Sequence, residues 1–315
     1  LKRLGKTEKH LKMTLRSAED PTDRTRIEAL AFGLADLDGW ITPWASLKLY
    51  GELSINEWNG KRTPQIRVNE LKIEERQVFD WRGVKNIETV WKKWLRAGQI
   101  CDSAPSRPVV LGNVSSEQLH AFGMNAICCS YAELEELASP SSGRTEIVNA
   151  KELILYSLPP GLSQLKSALK QFLNVERIIV WLHGEKPFTT ALPSRDQFKQ
   201  VYIRLKHEGL ESDFQSGLLK ISRETKISKE MIRFIIDVFH ELGFVKITGS
   251  RLSVLPAPIK RDLETSERYA ERKEKQELEK FLLHSTGSEL AAWLLKQLPE
   301  ERQHVPENKK QMYAI

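Results

Sequence analysis

In the first part of the chain, apolar and polar residues alternate. The odd-numbered residues from Leu47 to Ile55 are apolar or glycine, and this period of two predicts a half-buried β-strand. Asn59-Gly60 then predicts a hairpin, because both central positions of a type I′ turn need positive φ angles. The return strand carries Ile66 and Val68 and continues with Leu71, and this change of phase predicts a bulge.

Two further strands are predicted before this hairpin, at His10–Leu15 and Ile27–Phe32. Several short strands with a bulge, all within about 75 residues, are typical of a small β-barrel. Residues 1–76 therefore form the first predicted domain.

Between residues 77 and 190, short apolar runs alternate with helical patterns. The runs predicted as strands are Val78–Trp81, Pro108–Leu111, Ala126–Cys129, Leu153–Tyr156 and Arg177–Leu182. Apolar residues recur at helical spacing from Ile87 to Leu95 and again from Leu162 to Phe172. This alternation predicts a parallel sheet covered on both faces, a Rossmann-like α/β scaffold domain.

Residues 191–260 have the element order of a winged-helix domain. A helix capped by Ser194, a short helix from Leu218 to Glu224 and a longer helix opened by Ser228 precede a β-hairpin. Residues 261–315 form a charged helical tail, whose alternating signs of charge are typical of a solvated helix face. The fold class is therefore mixed, with several domains.

Composition and charge narrow the classes of function. The chain of 315 residues has a net charge of +6 and a pI of about 9.1, which suits an anionic partner. No run approaches about 18 uncharged apolar residues, so no membrane span is predicted. The three cysteines, Cys101, Cys128 and Cys129, have neither disulfide-framework nor zinc-ligand spacing, and we expect a reducing, cytoplasmic location.

The hairpin segment Gly51–Gly60, with Gln65 after it, resembles the OB-fold domain of RecJ-type single-stranded-DNA exonucleases. His10–Lys12 and Ala31–Gly33 match other segments of that domain in order and spacing. The remainder, from Val78–Gly83 onward, is similar to the extra C-terminal domain of the Bacillus-type members of this family. The resemblance spans nearly the whole chain, and its second part depends on looser motifs.

The resemblance implies a role in DNA repair and recombination. Enzymes of this family are nucleases that hydrolyse single-stranded DNA from its 5′ end, with Mn or Mg ions held by an N-terminal DHH core of aspartates and histidines. That motif is not found in these residues, and the first OB strand is expected to lie before Leu1. We therefore expect a non-catalytic C-terminal region that is inactive alone and has no cofactor or metal of its own.

No catalytic constellation is found among the residues themselves. Metal-assisted hydrolysis needs converging carboxylates and histidines, and the nearest candidate, Asp36-Leu37-Asp38, is more typical of a turn or cap. The strand-to-helix turns Gly112–Ser116 and Leu158–Gly161 lack the glycine spacing and the lysine of a phosphate loop. The α/β domain is therefore expected to bind no nucleotide.

Candidate nucleic-acid-binding residues are concentrated in the first domain. Binding a single strand needs a basic groove and flat groups on which bases stack. The candidates are Lys9, Lys12, Arg16, Trp58, Lys61 and Arg62, and the resemblance adds Gln65. Trp58 either stacks on a base or caps the barrel. A second set, for nucleic acid or a partner protein, is Lys226, Lys229, Arg233 and Arg251.

These observations predict a module that binds single-stranded DNA through the OB fold and docks partners through its C-terminal part. The resemblance implies single-strand-binding protein and a RecQ-type helicase as partners, and a monomer associated with the nucleoid. The acidic tail of the binding protein would need a basic pocket with an apolar floor. The alternatives are a winged-helix regulator that binds duplex DNA as a dimer and a self-contained hydrolase.

Overall fold

The chain forms two compact units in a computed structural model. The first unit comprises residues 1–159, 163–185 and 285–315, and the second comprises residues 160–162 and 186–284. The structure describes residues 1–17, 20, 22, 24–73, 75–100, 107–137, 145–184, 191–208, 214–248, 251–256, 258–259 and 261–299, without the side chains of residues 58, 137, 145, 208 and 214–216.

The first sheet of unit 1 is antiparallel except for one pair of strands. Its strands are β1 (Lys2–Leu4), β2 (His10–Leu15), β3 (Ile27–Ala31), β4 (Leu47–Trp58) and β5 (Lys61–Ile73). Their order is β1-β2-β3-β5-β4, and β3 runs parallel to β5. Lys2–Leu4 pair with His10–Lys12 as a short strand, and the expectation that the first OB strand lies before Leu1 stays a prediction.

The β4–β5 hairpin confirms two predictions. Asn59 and Gly60 have φ angles of 50° and 74°, as the predicted turn requires. The pairing register shifts between Tyr50 and Gly51, so that Asn69 is the extra residue on β5 and forms the predicted bulge.

The prediction of a half-buried strand is correct only for the first half of β4. Leu47 and Leu49 are half-buried, whereas Leu53 and Ile55 are 75% and 60% exposed. The difference arises because Leu47 and Leu49 pack against the hydrophobic core, whereas Leu53 and Ile55 do not belong to it.

The predicted parallel sheet is confirmed. Its strands, β6 (Gln77–Asp80), β7 (Val109–Leu111), β8 (Ile127–Cys129), β9 (Glu152–Leu155) and β10 (Arg177–Val180), lie in the order β6-β10-β9-β7-β8, and every neighbouring pair is parallel. The helices of this part are α1 (Ile87–Ile100), α2 (Ser116–Ala121), α3 (Tyr131–Leu137), α4 (Thr145–Val148) and α5 (Leu162–Gln171). The central strands β7 and β9 are fully buried, which explains their continuous apolar runs.

One hydrophobic core joins the two sheets of unit 1. Trp40 follows a 3₁₀ helix at Ala35–Gly39, and its ring centroid lies 4.3 Å from that of Trp94 on α1. Phe79 of β6 contacts the same Trp94 edge-on at 4.6 Å. The segment after β3 therefore packs its aromatic side chain into the core of the parallel sheet.

Buried polar groups bind the same segment. The backbone N–H of Thr42 donates to Gln77 Oε1 over 2.9 Å, and Gln77 Nε2 donates to the carbonyl of Trp40 over 3.1 Å. The guanidinium carbon of Arg177 lies 4.5 Å from the centroid of the Trp40 ring, and Arg177 Nη2 donates to Glu152 Oε1 over 2.6 Å. Arg177 and Glu152 are only 5% and 0% exposed, so this is a buried ion pair.

The second unit has the predicted order of helix, helix, helix and hairpin. Its elements are α6 (Arg195–Glu208), α7 (Phe214–Thr225), α8 (Lys229–Glu241), β11 (Val245–Thr248), β12 (Arg251–Val254) and α9 (Glu267–Leu282). Its core is built around α8, where Ile232, Ile235 and Ile236 are fully buried. No helix within the described ranges is both long enough and apolar enough to cross a membrane.

The two helices of the predicted tail belong to different units. The charged α9 lies in unit 2, whereas α10 (Gly287–Leu295) lies in unit 1 and packs against β6. The predicted boundaries at residues 76, 190 and 260 stay predictions, because the compact units are defined by contacts and not by type of fold. Residues 300–315 of the predicted tail lie outside the described residues.

We expect Arg177→Met to lower the free energy of unfolding by about 3–5 kcal/mol, because the carboxylate of Glu152 is then buried without its cation. The double variant Arg177→Met with Glu152→Leu removes both charges and should regain most of this stability. Urea denaturation of the three proteins measures it. Equal losses in the single and double variants would contradict this account of the pair.

Candidate nucleic-acid interface

Strand register places a row of three charged residues and one leucine on one face of the first sheet. Lys12 of β2 pairs with Leu30 of β3, Leu30 pairs with Arg67 of β5, and Arg67 pairs with Glu52 of β4. Because directly paired residues share a face, these four lie on the same side of the sheet. Their neighbours Leu11, Met13, Ala29 and Ala31 alternate with them and are fully buried on the core side.

An exposed aromatic ring lies on this outer face. Phe32 follows β3 directly and is 52% exposed. His10 meets it edge-on with ring centroids 5.1 Å apart, and the Arg67 guanidinium carbon lies 5.5 Å from its centroid. The backbone N–H of Gly33 donates to His10 Nδ1 over 3.1 Å, which fixes the imidazole beside the ring. We call Phe32, His10 and Arg67 the Phe32 platform.

The predicted cations lie on β2 and beside its two ends. Lys12 Nζ lies 2.5 Å from Glu28 Oε1, so part of its charge is neutralised within the sheet. Lys9 precedes β2, Arg16 follows it, and both are exposed. Gln65 is half-buried on β5 and pairs with Glu28 of β3, in the row next to that of Arg67.

The hairpin residues Lys61 and Arg62 do not form one contact surface. Side chains alternate along β5, so Lys61 lies on the same face as Gln65 and Arg67, whereas Arg62 lies on the opposite face. Arg62 Nε is 3.8 Å from Glu57 Oε2, its cross-strand partner. The two cations, expected from the sequence to act as a pair, are therefore separated by the alternation of the strand.

Trp58 ends β4, and its backbone pairs with that of Lys61. Its side chain lies outside the described residues, so the choice between base stacking and capping stays a prediction.

The carboxylates considered as metal ligands are bound to an arginine. Arg3 Nε and Nη2 donate to the two oxygens of Asp38 over 2.6 and 2.8 Å, and Nη2 also donates to Asp36 over 3.3 Å. These hydrogen bonds, first of all those to Asp38, raise the pKa of Arg3 above its ordinary value. Within the described ranges, no three His, Cys, Asp or Glu side chains are grouped so that they could hold a metal ion.

Backbone donors at the end of β7 are already used within the chain. Asn113 N donates to Ser157 Oγ over 3.2 Å, and Ser115 N donates to Gln118 Oε1 over 2.9 Å. A Cβ on Gly112 would lie 2.3 Å from Ser157 Oγ, so the turn is packed closely against its neighbour. The N–H groups of Asn113 and Ser115 are therefore not free to cradle a phosphate.

The second predicted set lies in unit 2. Lys226 is in the turn between α7 and α8, Lys229 opens α8, and Arg233 follows one turn later. Arg251 is the first residue of β12. All four are exposed, and the first three lie close together in sequence within one helix–turn–helix.

Sequence reasoning missed Phe32 and Arg67 as candidate site residues and interpreted His10 as a structural or surface residue. Arg67 carries a usable signal, because it separates Ile66 from Val68 in an alternating strand. Phe32 carries none, because an aromatic residue at the end of an apolar strand is ordinarily a core residue.

Comparison with known families fits this architecture. Residues 77–294 match the family model "Single-strand DNA-specific exonuclease, C terminal domain", and residues 1–70 match the model of the RecJ OB domain. The chain belongs to this exonuclease family, in which it contributes an OB-type domain and the C-terminal domain. The resemblance expected from the sequence is confirmed.

The chain is also similar to an individual bacterial protein. The chain is 28% identical over 301 residues to the single-stranded-DNA-specific exonuclease RecJ of Bacillus subtilis (strain 168). The alignment covers 96% of this chain and 36% of the relative's length. The chain therefore corresponds to little more than a third of that protein.

Proposed function

We propose that this chain is the strand-holding region of a RecJ-type exonuclease, and that it binds single-stranded DNA on the outer face of its first sheet. The observation that carries the proposal is the Phe32 platform, a half-exposed ring with an imidazole and a guanidinium beside it. Bases stack on such rings, while cations contact the phosphates that follow along the strand.

The position of the platform supports a single strand as the ligand. OB folds hold oligonucleotides on the face of their second and third strands. His10 is the first residue of β2, and Phe32 directly follows β3. Lys9, Lys12 and Arg16 continue the positive charge along β2. Every base has a flat face, so binding of this kind tolerates all sequences.

In this proposal, hydrolysis takes place outside the described residues and the chain contributes affinity. A strand held on the Phe32 platform stays attached between successive cleavages, which increases the number of nucleotides removed per encounter. The metal ions, Mn or Mg, would belong to the catalytic core of the longer enzyme. The proposed setting is repair and recombination of DNA in the bacterial cytoplasm, near the nucleoid.

We expect Phe32→Ala to weaken binding of a labelled oligonucleotide of about 20 bases by about 1–3 kcal/mol, or about 5- to 150-fold, because one stacking platform is removed. Phe32→Trp should keep most of the affinity. Fluorescence anisotropy of the chain with single strands of mixed sequence measures it.

Leu53→Ala is the matched control for this variant, because Leu53 is an exposed apolar residue of the same sheet on the opposite face. The proposal fails if Phe32→Ala binds single strands as tightly as the unchanged chain does. It also fails if Leu53→Ala weakens binding to the same extent.

The separation of Lys61 from Arg62 gives a second prediction. Lys61→Ala should weaken single-strand binding. It should also make the slope of log K against log salt concentration shallower by about 0.7, as expected when one phosphate no longer has its cation. Arg62→Ala should have a smaller effect, because Arg62 lies on the other face beside Glu57. Anisotropy over a salt series distinguishes them, and equal effects would place the strand at the tip of the hairpin instead.

We also propose that unit 2 is a winged-helix domain that docks partner proteins, with single-strand-binding protein and a RecQ-type helicase as candidates. A groove of about 330 Å³ between α6 and β12 supports this. Its floor includes Leu205 and Leu252, each 1% exposed, and Lys206 lies at its edge. It therefore combines the apolar floor and the basic group that an acidic tail requires.

We expect Lys206→Glu to weaken binding of the acidic tail peptide of single-strand-binding protein by about tenfold or more, because like charges then face each other. Lys199→Glu, an exposed position of the same helix outside the groove, is the control. Calorimetric titration of the chain with the peptide measures both. Unchanged affinity in Lys206→Glu would remove the groove as the docking place.

A further inference from the structure

A tight turn joins α7 to α8 in unit 2. Only residues 226–228 lie between the two helices. Ile227 is 5% exposed and anchors the turn in the core, and Ser222 Oγ donates to its carbonyl over 2.7 Å. Ser228 caps α8 by accepting the N–H of Met231 over 3.2 Å. Two helices joined by three residues form a helix–turn–helix.

Lys226 adopts an unfavourable backbone conformation in this turn. Its φ angle is +59°, in the left-handed region that glycine and asparagine enter at lower cost than other residues. The side chain is exposed, so burial does not explain a lysine at this position. A strained backbone under an exposed cation indicates that the positive charge itself is useful there.

Further cations continue from this turn along both helices. Lys229 and Arg233 are exposed on α8 and lie four residues apart, so their side chains are neighbours on one face. Arg223, in the last turn of α7, is exposed as well. We call Arg223, Lys226, Lys229 and Arg233 the α7–α8 basic face.

Of the two acids closest in sequence to this face, one is paired outside it and one offsets part of its charge. Glu224 Oε2 lies 3.2 Å from Arg204 Nη1 on α6. Hydrogen bonds from its own backbone N–H and from Ser228 lower the pKa of Glu230, and the charge of Lys229 lowers it further. Glu230 therefore offsets part of the positive charge at the start of α8, and the four cations of the face still outnumber it.

The exposed part of α8 lacks the anchors of a protein interface. Its exposed residues within the described part are Lys229, Glu230, Arg233, His240 and Glu241. Interfaces between proteins depend on aromatic or large apolar side chains at their centre, whereas Ile232, Ile235 and Phe239 of α8 are buried in the unit's own core. On α7, Leu219 is 37% exposed one turn before Arg223, which is little apolar area beside four cations. A surface with this much charge and so little apolar area favours a phosphate backbone as the ligand.

We infer that the α7–α8 basic face binds the phosphate backbone of double-stranded DNA, independently of sequence. A duplex fits better than a single strand, because the face exposes no aromatic ring on which bases could stack. In a helix–turn–helix, the first helix crosses the backbone and the second enters the major groove. The inference does not depend on the single-strand proposal, because it concerns a different unit and a different form of DNA.

The test measures binding of a blunt duplex to the 315-residue chain by anisotropy over a salt series. The variants are Lys226→Asn and the triple variant Lys226→Asn, Lys229→Ala and Arg233→Ala. Asparagine removes the charge while tolerating the left-handed conformation, so Lys226→Asn should melt at the same temperature as the unchanged chain or higher. Lys199→Asn, an exposed lysine of α6, is the control.

The expected result is a loss of duplex affinity of about tenfold or more in the triple variant and a smaller loss in Lys226→Asn. The salt slope of log K should become shallower by about 0.9 for each phosphate that is no longer neutralised by a cation of the chain. Lys199→Asn should bind as the unchanged chain does, and Phe32→Ala should leave duplex binding unchanged.

Absence of duplex binding by the unchanged chain would overturn the inference. Undiminished duplex binding by the triple variant would overturn it as well. If the triple variant instead kept its duplex affinity but bound an acidic polypeptide such as poly-glutamate more weakly, the α7–α8 basic face would be a protein-docking site. An equal decrease of single-strand and duplex affinity in the triple variant would show that the face does not select a duplex.

Discussion

The buried ion pair of Arg177 and Glu152 beneath the Trp40 ring is the interaction on which the first unit depends. A guanidinium that is 5% exposed is tolerated only if an anion and further contacts replace its water. Glu152 provides the anion from the neighbouring strand, and Trp40 provides the flat face from the segment after β3. The parallel sheet and the segment between β3 and β4 thus each supply part of the environment that this charge requires.

This constraint also determines which face of the first sheet is free to bind a ligand. The core-side residues Leu11, Met13, Ala29 and Ala31 belong to the same cluster as Trp40 and Trp94. Because side chains alternate along strands, residues directed into that core leave their neighbours on the other side. The Phe32 platform is formed on that other side. The alternation of side chains along the strands therefore both fills the core and places the platform on the outer face.

Elements with a regular period could be predicted from the sequence, whereas contacts between distant residues could not. The five parallel strands and the Asn59-Gly60 turn follow from local patterns, and both are confirmed. The exposure of Leu53 was missed because alternation reports a face and not whether anything covers it. Arg177 and Trp40 are far apart in the sequence, so no local pattern predicts their contact. The Phe32 platform likewise combines residues of β2 and β5 with the residue that follows β3.

Net charge favours an anionic ligand but does not indicate the place or form of its binding. Lys12 is paired with a carboxylate of β3 and Arg3 with carboxylates of the 3₁₀ helix, so part of the positive charge in the first domain is structural. Both proposed DNA surfaces carry cations, and cations contact single strands and duplexes alike. The two proposed surfaces differ in their aromatic rings, because Phe32 offers a surface on which bases could stack and the α7–α8 basic face does not. In these two proposals, the aromatic content of each surface would therefore decide the form of DNA that it selects, and its charge would set only the strength and the salt dependence of binding.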